Sequence, residues 1–310
     1  MSVLAFLARN GRLLLVAGLI AGILLPGLAA VLRPLIAPMI LGLLFLAVLR
    51  LGPEGLAAGL KGLHRAIGLT LVLQLVLPLA AAALFAAAGV LAHPLATGAV
   101  LALAAAPITG SPNLALMVGG NPAPALRQLV IGTALLPLTV LPVFFVMPAF
   151  GSPLAVGRAA LQLLALIAVV GGAALALRHF KIVQRSEPAF VTMDALAALL
   201  MGLVVIGLMS AIGPALLDNP LALGAALMAA FALNVPLQLA ASTMMARRDP
   251  DAAPAVGIVA GNRNLALFLS VLPPSTADDL LLFIGCFQIP MYLTPFLLAG
   301  WYRLKAKQAR

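Results

Sequence analysis

The sequence predicts an all-α polytopic membrane protein: ten transmembrane helices arranged as two inverted five-helix repeats, with broken crossing helices four and nine. Three observations carry that prediction. Of the 310 residues, 64% are hydrophobic and only 8% charged, whereas about a quarter of a soluble domain is charged. The basic residues fall almost entirely in alternate loops. Finally, "GSPNLALMV" at 110–118 and "GNRNLALFL" at 261–269 share Gly-x-x-Asn-Leu-Ala-Leu at an offset of 151 residues, nearly half the chain.

The apolar runs are continuous and rich in Leu and Ala, so the spans are helices; barrel strands would alternate apolar and polar residues. Ten segments follow, at 13–31, 35–50, 66–89, 95–119, 126–149, 157–178, 191–213, 220–245, 253–272 and 279–301. The run after Arg9 and Arg12 is about 20 residues long, which favours a first spanning helix over a signal peptide. Short connections such as "GGNPAPA", "RRDPDAAP" and "PPSTADD" leave no room for a soluble domain.

With the N-terminus in the cytoplasm, the inner segments hold fifteen basic residues, from Arg9, Arg50 and Lys61 to Arg310, and the outer loops hold only Arg33 and Arg158. This positive-inside bias predicts a bacterial-type inner membrane protein with both termini cytoplasmic. It also explains the formal charge of +10 as an orientation signal, with no nucleic acid as partner. Trp301 and Tyr302 fall at the inner end of the last span, where interface aromatics belong. The single cysteine, Cys286, reads as an apolar filler.

Residue 110 lies in segment four and residue 261 in segment nine, so residues 1–150 and 151–310 form two five-helix units. Five is odd, so the second unit enters from the opposite side, the common plan of secondary transporters. "PLTVLP" in segment five and "PMYLTP" in segment ten match in the same way. Pro107, Gly110 and Pro112 predict a break in segment four; Pro254, Gly257, Gly261 and the polar run Asn262, Arg263 and Asn264 predict one in segment nine. Matched interruptions of this kind point to a transport site.

Arg263 lies at the centre of an apolar run, where a charge costs at least about 2.5 kcal/mol on insertion scales. All eight acids, and His64, His93 and His179, fall in loops or at helix ends. Three readings of Arg263 are open: anchor for an anionic substrate, replacement for a metal cation, or structural donor to the carbonyls freed by the breaks. Asn113 and Asn264 follow the breaks, where they either cap backbone donors or contact a ligand. Asn262, Thr109, Ser111 and Thr133 add polar groups near the same points. Gln74 in segment three, and Asn234 and Gln238 in segment eight, are either helix-to-helix hydrogen-bonding groups or substrate contacts. No zinc pair, phosphate loop or intramembrane catalytic acid or histidine is present, so no enzymatic chemistry, metal or cofactor is expected.

"APITGSPNLAL" at 106–116 and "AGNRNLALFL" at 260–269 resemble the bile acid:sodium symporter family. The resemblance implies a core of segments three to five and eight to ten, packed against a panel of segments one, two, six and seven, with a small organic anion bound between them. In sodium-coupled relatives the ninth segment resembles Glu-Val-Gly-Met-Gln-Asn, whose carboxylate and amide help to bind sodium. Here Val259 stands at the Glu and Arg263 at the Gln. Pro112 stands where a serine is expected, while Asn113 and Thr133 remain. Sodium beside a guanidinium is disfavoured by about 4 kcal/mol for charges about 4 Å apart at an effective dielectric of about 20. The expectation is therefore a carrier of small organic anions in a lipid bilayer, not coupled to sodium. The alternatives are a sodium-coupled carrier using other ion ligands, and a non-transporting sensor of the same fold.

Overall fold

The computed structural model describes residues 3–59 and 62–307. Lys61, counted among the inner basic residues, and Arg310 lie outside these. Among the described residues there are helices and connections but no strand, only an isolated bridge between Pro107 and Arg263. Among the described residues seven helices are long and apolar enough to cross a membrane: Pro26–Ala57, Leu63–Ala87, Pro122–Val146, Pro153–His179, Glu187–Asp218, Pro220–Ala246 and Pro274–Leu297. The count rises to eight if Val3–Arg9 and Leu13–Leu24, which meet at 84°, form one span. The chain is a multi-pass helical membrane protein. Its outer faces carry exposed apolar residues such as Leu161, Val169, Leu221 and Met228, a surface suited to lipid.

Segments four and nine are missing from the long helices because they are broken, as the proline and glycine placement predicts. Segment one is missing for another reason. Its helix, Gly11–Leu24, ends at Leu25 (φ −119°, ψ 67°). Pro26 disfavours the helical conformation at the residue before it, so the chain turns there and not at 32–34. The expected loop at Arg33 and Pro34 is instead a 3-10 turn, Arg33–Leu35, inside a helix that runs on from Pro26. That helix breaks at Gly52, whose φ of +65° only glycine adopts easily, close to the expected end of segment two.

Other starts follow local chemistry. Asn121, Ser152 and Asn219 each accept a backbone N–H of the following turn, and each is followed by a proline at the first helical position. Ser186 caps Glu187–Leu208 in the same way, by accepting from the Ala189 N–H.

The ends that the charge pattern assigns to one side do meet. Arg50 pairs with Asp194, Arg185 with Glu54, and Asn121 donates to Asp251. On the other side Arg33 pairs with Asp278. Tyr302 departs from the expected interface role: it is fully buried and its hydroxyl donates to Gln238. Cys286 is buried, as an apolar filler should be.

Small residues let helices approach closely where lipid offers no hydrophobic drive. Segments one and seven touch at Gly18 and Gly202, and at Gly22, where an added Cβ would lie 2.5 Å from Met209 Cβ and 2.9 Å from the Ile206 carbonyl. Gly285 lies as tightly against the Leu208 carbonyl, and Gly98 against the Phe283 ring. Gly22→Ala is therefore expected to lower the melting temperature of the purified protein, by the equivalent of about 1–3 kcal/mol for overpacking. Gly224→Ala, whose Cβ meets nothing within 4 Å, is expected to leave it unchanged or raise it. Equal melting of the two variants would show that segments one and seven are not in close contact.

Candidate functional site: the crossing and its cavity

Segment four is two short helices, Pro94–Ala104 and Ser111–Met117, joined by irregular chain. Ala105 is extended (φ −64°, ψ 151°), and Pro107 brings no backbone donor to continue the helix. Segment nine is Ala253–Gly261 followed by the 3-10 turns Leu265–Ser270, with Asn262 extended. The two irregular stretches pair with each other. The Ile108 N–H donates to the Asn262 carbonyl at 3.0 Å, and the Asn264 N–H to the Ala106 carbonyl at 2.8 Å. Gly261 lets segment nine lie close against segment eight, because a Cβ there would lie 2.4 Å from Gln238 Cγ and 2.8 Å from the Asn234 carbonyl.

Arg263 sits on this crossing, 1% exposed. Its Nε donates to the Ala260 carbonyl at 3.0 Å, Nη1 to Ala105 at 3.1 Å and Nη2 to Leu73 at 3.3 Å. Each acceptor has a local origin. Ala105 and Ala260 lie at the C-terminal ends of the two half-helices, where carbonyls have no intrahelical partner. Leu73 lies in a π-helical stretch, Val72–Val76, of segment three. The guanidinium thus places a fixed positive charge where two helix dipoles present their negative ends. None of the acceptors is a carboxylate.

The amides form two further groups. Asn234 donates to the Gly261 carbonyl at 2.8 Å and to Asn262 Oδ1 at 3.1 Å, and Gln238 donates to Asn234 and to Thr294 Oγ1. With Tyr302 they tie segment eight to segment nine and the chain's last turns; Asn262 Nδ2 is buried there with no partner. Gln74 accepts from Thr139 at 3.3 Å, and Thr70 donates to Gln128 at 2.9 Å, which joins segments three and five. Ser111 donates to the Ile108 carbonyl and is fully buried. Apart from the bonds of Ser111 to Ile108 and Gln238 to Asn234, which stay within one segment, these are contacts between helices, the role open to such groups in a bilayer.

Beside the crossing is a cavity of about 630 Å³. Thr109, Gly110, Pro112, Asn113 and Thr133 form its polar wall, and Leu43, Leu46, Leu129, Ile167 and Leu175 much of its apolar lining. A narrow cleft of about 40 Å³ that shares Thr109 reaches Arg263 and Asn264. Of the residues singled out from sequence, Thr109, Asn113 and Thr133 therefore line the cavity. Arg263 and Asn264 stand behind it, and Ser111, Gln74, Asn234, Gln238 and Asn262 lie outside it. Arg50 and Asp194 also line it; in the sequence Arg50 stands out only as an orientation signal. The signal that could have found them was opposite charge at adjoining ends of segments two and seven.

The class defined is a multi-pass helical protein with a cavity beside two paired helix breaks. No family model matches the sequence, and no curated protein matches it.

Arg263→Met is expected to lower the melting temperature sharply, because three buried carbonyls lose their donor at about 1–3 kcal/mol each. Arg263→Lys should restore part of the loss, since an ammonium cannot reproduce the planar fork. Unchanged melting of Arg263→Met would show that the guanidinium does not hold the crossing.

Proposed function

We propose that this chain is a secondary-type transporter of small organic anions that works without sodium, resembling the bile acid:sodium symporter family in plan. Residues 1–150 and 151–310 are inverted five-helix repeats, and the core of segments three to five and eight to ten moves against the panel of one, two, six and seven. The observation that carries this reading is the 630 Å³ cavity. It lies between helices assigned to core and panel and ends on the broken part of segment four. Irregular backbone at bilayer depth is tolerated where it is buried in protein or lines a cavity. The paired breaks supply the first setting, and the cavity wall at Thr109 and Gly110 the second.

Arg263 takes the place of a coupling cation. In interrupted-helix carriers, unwound carbonyls and half-helix C-terminal ends hold the ion; here the same kind of carbonyls accept from the guanidinium. Val259 and its neighbours are fully buried apolar residues and bring no carboxylate to the site. Substrate contact falls to Thr109, Asn113 and Thr133. The basic loops lie on the cytoplasmic side, with both termini.

Reconstitution into proteoliposomes tests transport. Uptake of a labelled organic anion is expected to be the same with sodium or potassium outside, and absence of uptake across a range of anions would favour the sensor alternative. Melting should likewise match in the two salts. A ligand at about 100 times its Kd adds about 2.7 kcal/mol of stability, so a sodium-specific rise would show that the ion site is intact.

Gly172 provides a separate test of the cavity. It lines the space, and an added Cβ would meet no atom within 4 Å. Gly172→Leu should keep the melting temperature and lower uptake by narrowing the cavity. Full transport in that variant would place the substrate path elsewhere.

A further inference from the structure

At the basic end of the cavity three guanidinium groups surround one ring. Arg50, Arg178 and Arg185 lie 5.6, 5.4 and 5.9 Å from the Phe190 centroid. Two carboxylates answer them: Asp194, which Arg50 grips through Nε and Nη2, and Glu54, 3.1 Å from Arg185. Arg178 makes no salt bridge of its own and shares Glu54, whose carboxylate attracts both it and Arg185. Arg178 donates to the Leu49 and Val183 carbonyls, and its Nη2 is buried without a partner. Among the described residues the cluster is therefore one anion short.

Arg50 is the member of the cluster that faces the cavity, and among the described residues it is the one cation lining it. Arg263 cannot serve there directly, because its N–H groups are committed to carbonyls and it is absent from that lining. We propose that Arg50 selects anionic substrates: a substrate carboxylate enters from the cavity, shares the guanidinium fork with Asp194 and brings the Arg50–Arg178–Arg185 cluster to charge balance. This rests on the transport cavity proposed above and assigns its charge selectivity to a particular side chain. The fit is chemical as well as electrostatic. A planar fork matches a carboxylate in two parallel hydrogen bonds, half the Arg50 side chain remains exposed at 53%, and the apolar walls suit a hydrocarbon body. Asp194 is then a resident competitor. It holds Arg50 in place when the cavity is empty and limits how tightly a carboxylate can bind.

The test uses the purified full chain in a neutral detergent, with 4-phenylbutyrate and its uncharged analogue 4-phenylbutanamide as probes and melting temperature as readout. In the wild type the carboxylate is expected to raise the melting temperature more than the amide at equal concentration. Arg50→Gln should weaken apparent carboxylate binding by about tenfold or more, the equivalent of about 1.4 kcal/mol, and leave the amide unaffected. Asp194→Asn should strengthen carboxylate binding by removing the competitor. The double variant Arg50→Gln with Asp194→Asn removes both members of the pair together, so it controls for loss of the pair itself; without the guanidinium that lines the cavity it should bind both probes alike. Retained carboxylate preference in the double variant, or weaker carboxylate binding in Asp194→Asn, overturns the proposal. Equal binding of the two probes by the wild type also overturns it and leaves the transport cavity standing. Failure of both probes to bind removes the cavity reading together with it.

Discussion

Two broken helices inside a bilayer leave carbonyls with no intrahelical partner, and lipid cannot supply donors. The rest of this structure depends on how that deficit is met. Two backbone hydrogen bonds between the irregular stretches meet part of it. Arg263 meets more, with donors to two half-helix ends and to a π-helical carbonyl in segment three. A charge that is costly in hydrocarbon becomes favourable here because it replaces several separate penalties with one buried, multiply bonded group. Three segments thereby become one unit around the crossing.

The crossing has a rigid side and an open side. On the rigid side Asn234, Gln238, Thr294 and Tyr302 connect segment eight and the C-terminal helix to Gly261 and Asn262. On the open side the polar wall of Thr109, Asn113 and Thr133 faces the helices of segments two, six and seven across the cavity. The proposed movement is of core against panel across this space, and the two also touch where Gly285 of segment ten packs on the Leu208 carbonyl of segment seven. Close glycine contacts join segments one and seven. In the proposed carrier the binding work is thus split: Arg263 keeps the crossing intact, and Arg50 meets the substrate charge.

The membrane class, the helical character and the two breaks were legible in the amino-acid sequence. Each depends on composition or on backbone chemistry that acts over a few residues. Uninterrupted apolar runs leave only helices as spans. Pro107, Gly110, Pro112 and Gly261 remove donors or steric restraint at the positions where the chain does break. The pairing of like ends followed from charge, and Arg50–Asp194, Arg185–Glu54 and Arg33–Asp278 join loops assigned to the same sides. One local signal was misplaced: the first turn comes at Leu25–Pro26 and not at Arg33. Two prolines competed for it, and the sequence alone does not say which one lies at a helix end.

Tertiary structure alone decided the division of labour among polar residues. Asn113 and Asn234 are both intramembrane amides, yet one lines the cavity and the other is fully buried between helices. No local pattern separates them, because the difference lies in which distant helix packs beside each. The same holds for Arg263 and Arg50. Sequence marked Arg263 as exceptional by its depth and passed over Arg50 as one basic residue among many at a membrane edge. The fold reversed their access to ligand: it consumed the deep guanidinium on carbonyls 158 and 190 residues away and left the peripheral one lining the space. Which side chain meets solvent or substrate is a property of packing between segments far apart in the chain.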